Sequence, residues 1–268
     1  MPVRLLLDSM PTPDLFDLTD RVAVVAGGAG RIGPAVCRAL DDYGARVVVA
    51  DVDREAGEAL ADDLDTGEFV HCDVTDESSV DSLFERVLDA HGRLDVQVNA
   101  AYPRDDSYGT PFEERSLDSW RANVSAQLDS YAWLCRRAAD VMAEQGSGSI
   151  VNFGSTYGVQ APDFSIYREA DMPPSPAHYS AAKGGILNLT RYLASYLGRD
   201  GVRVNAVSPG GVFDDQDPAF VEAYESNTPL GRMAEPEDLR GAVVYLASDA
   251  AAYVTGHNLV VDGGWTIQ

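Results

Sequence analysis

The chain has 268 residues, a formal charge of −23 at neutral pH, 45% apolar residues and 24% charged residues. That composition is globular rather than disordered, and the length holds one large α/β domain or two small ones around a buried core. So acidic a chain repels phosphate backbones, which argues against nucleic acid as a partner, and no apolar run reaches the roughly 18 residues that a membrane helix needs.

Arg4-Leu5-Leu6-Leu7 is cut short by Asp8, too soon for a secretory leader. Cys37, Cys72 and Cys135 lie far apart with no CxxC pair, which fits a reduced, cytoplasmic setting. Lys183 is the only lysine, beside 19 arginines. The acid excess favours a halophilic origin over a GC-rich genome alone. In molar salt the Debye length falls to about 3 Å and a dense negative surface stops repelling itself.

In chain order, residues 1–18 carry Pro2, Pro11 and Pro13 and read as an extended arm. Residues 21–26 form an apolar run that ends at a glycine cluster. An amphipathic stretch at 32–43, a strand at 46–50, a helix at 54–64 and a short strand at 68–71 follow. Apolar residues at 80, 83, 84, 87 and 88 give helical spacing over 76–91, with Asp76 as N-cap and Gly92 as stop. Strands at 94–98, 149–153, 202–207 and 258–261 alternate with helices at 117–145, 178–198 and 236–248. Near-continuous apolar strands between helices imply a parallel sheet covered on both faces; a (β/α)8 barrel has similar length and alternation, and the motif after the first strand decides for a Rossmann-like doubly wound sheet of about seven strands. No repeat or linker divides it, so residues 19–268 read as one catalytic domain.

Ala26-Gly27-Gly28-Ala29-Gly30-Arg31-Ile32-Gly33 follows the first strand and opens the first helix. Gly27 allows a tight turn and Gly33 a close helix–strand contact, and main-chain N–H groups near Arg31 and Ile32 face a pyrophosphate at the helix N-terminus. Asp51, with Val52 beside it, closes the second strand. A carboxylate there accepts the ribose hydroxyls and repels a 2′-phosphate, which favours NAD over NADP.

These features resemble the short-chain dehydrogenase/reductase family. Its pattern after the first strand is Thr-Gly-x-x-x-Gly-x-Gly; this chain has Ala26 for the Thr and Arg31 for the middle Gly. Asp73-Val74 stands where the family contacts adenine, and Asn99-Ala100-Ala101-Tyr102 replaces Asn-Asn-Ala-Gly. Ser208-Pro209-Gly210-Gly211-Val212 matches the turn beside the nicotinamide, with Asp214 in place of a Thr. The likeness covers about residues 18–265 and implies a homotetramer or homodimer, with helices near 117–145 and 178–198 in one interface.

Tyr179 and Lys183, four residues apart on a predicted helix, share a face. A phenol is a poor base at neutral pH, and a nearby ammonium favours its phenolate. The resemblance implies that Ser155 and Asn123 complete the catalytic set. Tyr179 then exchanges a proton with the substrate oxygen, and Ser155 donates a hydrogen bond to it. Lys183 lowers the Tyr179 pKa and binds the nicotinamide ribose, and Asn123 holds a water in a proton relay. The Tyr-x-x-x-Lys spacing argues against the enoyl-reductase branch. Four scattered histidines give no metal site, and Asp214, Asp215 and Asp217 read as a solvated acidic loop.

The stretch between Ser155 and Tyr179 is longer than is common in the family. Its extra segment, about 157–177, is expected to wall the substrate pocket. Arg104, Tyr167, Arg168, Met172 and His178 are the candidate contacts, and the two arginines point to a small polar or anionic substrate. This insert resembles the flagellin modification protein A-like branch, which implies a sugar derivative. The leading expectation is an NAD-dependent oxidoreductase interconverting a secondary alcohol and a ketone. A 3-oxoacyl thioester reductase and a non-catalytic NAD sensor are the alternatives.

Overall fold

The computed structural model describes residues 11–105 and 110–268. Seven strands form one parallel sheet: β1 (Val22–Ala26), β2 (Arg46–Asp51), β3 (Gly67–His71), β4 (Val96–Asn99), β5 (Gly148–Phe153), β6 (Val202–Pro209) and β7 (Asn258–Val261). Their spatial order is β3-β2-β1-β4-β5-β6-β7, so the winding reverses between β1 and β4. In doubly wound sheets that reversal opens a crevice at the carboxyl ends of the strands. Ala26, Asp51, Asn99, Phe153 and Pro209 all lie at or near that edge.

Strand periodicity explains the two-sided core. Val22, Val24 and Ala26 of β1 join one cluster with Val80, Leu83 and Phe84 of α3 (Glu77–His91), and with Leu134 and Ala138 of α5 (Ser130–Gln145). Ala23 and Val25 point the other way, to Val36 and Leu40 of α1 (Gly33–Asp42) and Leu60 of α2 (Arg54–Asp63). Both faces are buried, so the strands carry few polar residues. Asp76 caps α3 by accepting from the Ser78 N–H at 3.0 Å, and Gly92 ends it with φ 69°, as the sequence predicts.

The predicted helix over 117–145 is α4 (Leu117–Val124) and α5 joined by a π-helical turn at Ser125–Asp129. The predicted helix at 236–248 is a 3-10 turn, Pro236–Leu239, followed by α10 (Arg240–Ala247). Residues 1–10 of the expected arm lie outside the described residues. The rest of it is not extended: Thr12–Phe16 form a 3-10 turn and Leu18 is buried in the core.

The expected loop at 157–177 is also more ordered than read. It holds most of α6 (Thr156–Val159), all of α7 (Phe164–Glu169) and the start of α8 (Ala177–Leu197). Ile166 and Tyr167 pack into a third apolar cluster with Phe220, Ala223 and Tyr224 of α9 (Pro218–Ser226), plus Met233 and Trp265. Among the described residues no helix is long and apolar enough to cross a membrane, and no group of three or more His, Cys, Asp or Glu could hold a metal ion.

Candidate active site

Gly27 turns with φ +80°, and a Cβ there would lie 2.5 Å from the Ala101 backbone, so only glycine fits. The turn is fastened to β2 by the Gly27 and Gly28 N–H groups donating to the Ala50 carbonyl, and by the Ala29 N–H donating to Asp51 Oδ2 at 2.9 Å. Asp51 Oδ1 accepts from the Asp53 N–H. The N–H groups of Arg31, Ile32 and Gly33 have no acceptor among the described residues. Three open donors at the positive end of α1, next to a carboxylate closing β2, fit the diphosphate and ribose of a dinucleotide. Val52 is 57% exposed beside them, as a surface for adenine requires.

A second group is built on β5, α6 and α8. Lys183 is buried, and its Nζ donates to the Phe153 carbonyl, the last residue of β5, at 2.7 Å. Two residues further on, past Gly154, Ser155 caps α6 and its Oγ accepts from the Tyr157 N–H at 3.1 Å. Gly158 brings the two helices together, since a Cβ there would lie 2.8 Å from the Lys183 backbone carbon. Tyr179 lies one turn before Lys183, with the ammonium nitrogen 5.8 Å from its ring centroid. Burial pushes the Lys183 ammonium down to about 7. Asn123 is buried on α4; its Nδ2 donates to the Ser119 carbonyl at 3.0 Å, and its Oδ1 has no hydrogen-bond partner.

Other predicted positions divide. Ala100 donates its N–H to Ala26, Gly210 donates to Val261, and Val212 forms a bridge with Ala234, so these segments line the strand ends. Pro209 closes β6. Asp73 Oδ1 accepts from both the N–H and the hydroxyl of Thr75. Val74 is a correction in part: its side chain belongs to the core, which leaves only its backbone for adenine. Asn99 is another. Its amide donates to Asn152 Oδ1 at 2.8 Å and its oxygen accepts from Gln97, inside a buried polar network.

The substrate candidates fare less well. Tyr167 sits in the third core cluster, its hydroxyl 2.9 Å from that of Tyr157, and Met172 packs on the same cluster. Arg168 faces outward near Asp163. His178 is fully buried with its ring edge-on to Trp120; burial, then the Arg115 charge, lowers its pKa to about 4 and keeps it neutral. Arg104 stays close, its guanidinium carbon 5.9 Å from the Tyr102 ring centroid.

Two tyrosines near Lys183 are not among the residues that the sequence reading assigns to the site. Tyr102 lies 5.3 Å from Tyr179, ring to ring, at an interplanar angle of 73°, and Tyr131 is buried under Lys183 with its hydroxyl donating to the Ala101 carbonyl. The sequence signal for Tyr102 was its place in Asn99-Ala100-Ala101-Tyr102, where the family pattern has Gly. Tyr131 gave none beyond helical spacing.

A family model described as enoyl-(acyl carrier protein) reductase matches residues 27–266. A cis-4-hydroxycyclohexanecarboxylate dehydrogenase of Sinomonas cyclohexanicum is 39% identical over 92% of this chain and 97% of its own. A D-threitol dehydrogenase of Mycolicibacterium smegmatis is 35% identical over 94% and 95%. The post-translational flagellin modification protein A of Campylobacter coli is 30% identical over 92% and 99%.

Among solved structures, a gluconate 5-dehydrogenase from Burkholderia cenocepacia in complex with NADP and tartrate superposes with a TM-score of 0.84, 28% identity and 95% and 98% coverage. A short chain dehydrogenase from Leptospira borgpetersenii with bound NAD+ gives 0.83, 33%, 96% and 97%. With a doubly wound sheet, a glycine-rich turn under open amide donors, a Tyr–Lys pair on one helix and relatives matched from end to end, the chain belongs to the short-chain dehydrogenase/reductase family.

Proposed function

We propose that the chain is an NAD-dependent oxidoreductase that interconverts a secondary alcohol and a ketone on a small, polar, sugar-like substrate, with Tyr179 as its proton-transfer residue. One observation carries the reading: the sole lysine of the sequence is buried against Tyr179 and is held by the strand that leads to Ser155. Relatives named for polyol and hydroxy-acid dehydrogenation support the substrate class. The flagellin-modification relative supports a sugar derivative.

A bound nicotinamide dinucleotide supplies the hydride acceptor or donor. The N–H groups of Arg31, Ile32 and Gly33 would hold its diphosphate, and Asp51 its adenosine ribose. The Asp51 carboxylate supports NAD over NADP, because a 2′-phosphate there meets like charge. At the substrate, the Tyr179 hydroxyl passes a proton to or from the reacting oxygen. Ser155 Oγ already accepts from Tyr157, so its own proton is free to donate to that oxygen. The orphaned, buried Oδ1 of Asn123 suits a residue that holds a water for the proton relay.

Buried thiols on all three cysteines support a reducing, cytoplasmic setting. The exposed, stacked rings of Tyr192 and Tyr196 on α8 support association through that helix into a homodimer or homotetramer, which scattering mass tests. The decisive experiment is Tyr179→Phe. Turnover falls by about 10²–10⁴-fold while NAD binding persists; unchanged turnover removes the reading and favours an NAD sensor. The description of the matching family model favours a second substrate class, an acyl thioester. NADH oxidation with ketosugars against 3-oxoacyl and 2-enoyl thioesters separates the two.

A further inference from the structure

We infer that Tyr102 is a positioning residue whose ring closes an aromatic cage around Lys183 and holds that side chain in its ammonium form. The inference deepens the reading of the site given above and rests on it.

Lys183 carries its ammonium with few acceptors around it. An ammonium has three donors, and this one makes a single hydrogen bond, to the Phe153 carbonyl. It forms no ion pair among the described residues. Burial alone displaces its proton affinity, with no charged neighbour to offset it. A buried, poorly solvated cation then deprotonates unless something else favours the charge.

Three tyrosine rings surround it instead. The nitrogen lies 5.2 Å from the ring centroid of Tyr131, 5.8 Å from that of Tyr179 and 5.9 Å from that of Tyr102. A cation within about 6 Å of an aromatic face is attracted by the ring quadrupole, more strongly where water is excluded. The groups that face Lys183 are therefore Tyr131 from α5, Tyr179 from its own helix, Tyr102 from the segment after β4, and the Phe153 carbonyl from β5. Behind them stand Cys135 beside Tyr131, Tyr157 beyond Tyr179, and Arg104 over the Tyr102 ring.

These rings have different duties. Tyr131 is wholly buried and tied to Ala101; Tyr179 exchanges the proton. Tyr102 is 36% exposed and forms the outer wall. It occupies the place of a glycine in the family pattern, so the pattern itself provides no such wall. Its edge-to-face contact with Tyr179 also fixes the neighbouring phenol.

Because Lys183 is the only lysine, isotope-labelled lysine gives one side-chain resonance, which can be titrated directly. Tyr102→Leu keeps an apolar wall without a quadrupole, and Tyr102→Phe keeps the ring without the hydroxyl. Leu is expected to weaken proton binding at Lys183 by about tenfold, and to move the lysine-dependent limb of the kcat–pH profile the same way; Phe leaves both in place. An unmoved titration in the Leu variant, or an equal fall in the Phe variant, overturns the inference. The resonance needs no turnover, so the two claims fail separately. A lysine that shifts as expected in a protein without alcohol oxidation removes the functional reading alone. An unmoved lysine in an active enzyme removes the cage alone.

Discussion

Arg31 and Asp214 form an ion pair that ties the glycine-rich turn after β1 to the loop after β6. Two strands, β4 and β5, lie between β1 and β6, so the pair spans the carboxyl edge where the dinucleotide is proposed to lie. Each residue is a departure from the family pattern, and the two departures meet. Both side chains are about half exposed, so the pair contributes little to stability by itself. Its charges matter more to the ligand. Arg31→Ala is expected to weaken NAD binding and Asp214→Ala to tighten it, each by roughly two- to fivefold at low salt, with the effects fading in molar salt. Titration calorimetry at two ionic strengths checks the signs.

The ribose contact proposed for Asp51 is tied to the shape of the turn, because Asp51 also holds the Ala29 N–H. Asp51→Asn removes the charge and keeps the acceptor. The ratio of kcat/KM for NADP over NAD is expected to rise by about tenfold or more as the repulsion of a 2′-phosphate disappears. Steady-state kinetics with both cofactors measures it, and an unchanged ratio rules out Asp51 as the discriminator.

Lys183 exacts a cost in stability. Its proton affinity falls from the ordinary 10.5 to about 7 on folding, so between those values the unfolded chain binds more protons and stability rises with pH. Lys183→Met is expected to abolish turnover, to flatten that rise, and to stabilise the fold at neutral pH by about 1 kcal/mol, raising Tm by ~2–4 °C. Thermal melts across the pH range test all three signs when paired with an activity assay.

Gly158→Ala places a methyl 2.8 Å from the Lys183 backbone carbon and 2.9 Å from its oxygen. Neither backbone can yield without moving Ser155 or Tyr179. A loss of about 1–3 kcal/mol is expected, together with a fall in kcat larger than any change in NAD affinity. Full activity in this variant shows that the two helices need not touch.

The charge of −23 predicts a thermal midpoint that climbs from dilute buffer to molar salt, as screening relieves self-repulsion. Identical midpoints remove the halophilic reading.

The strands and long helices were legible because their signals are local. Buried parallel strands read as unbroken apolar runs, and α3 carries its own cap and stop. The short helix α9 also has a local signal that was overlooked: Asp217 accepts from the Ala219 N–H ahead of Pro218 in the first turn. The buried Asn99 side chain has a local signal too. Gln97 and Asn99 alternate on one face of a strand with no exposed side, which marks an interior network. The Arg31–Asp214 pair and the rings around Lys183 were illegible. They join segments far apart in the chain, and no periodicity records which loops meet at a sheet edge.

Gly158 locks Ser155 to the helix of Tyr179 before the chain departs for its long excursion, and the excursion returns at Pro176, just ahead of that same helix. Between them, Ile166 and Tyr167 are anchored on Phe220, Tyr224 and Trp265, and the Tyr167 hydroxyl also meets that of Tyr157. The segment proposed to wall the pocket and the groups proposed to handle the proton thus share the Tyr157–Tyr167 hydroxyl contact. Exchanging that segment as a cassette has to preserve this contact if the geometry around Ser155 and Tyr179 is to stay put.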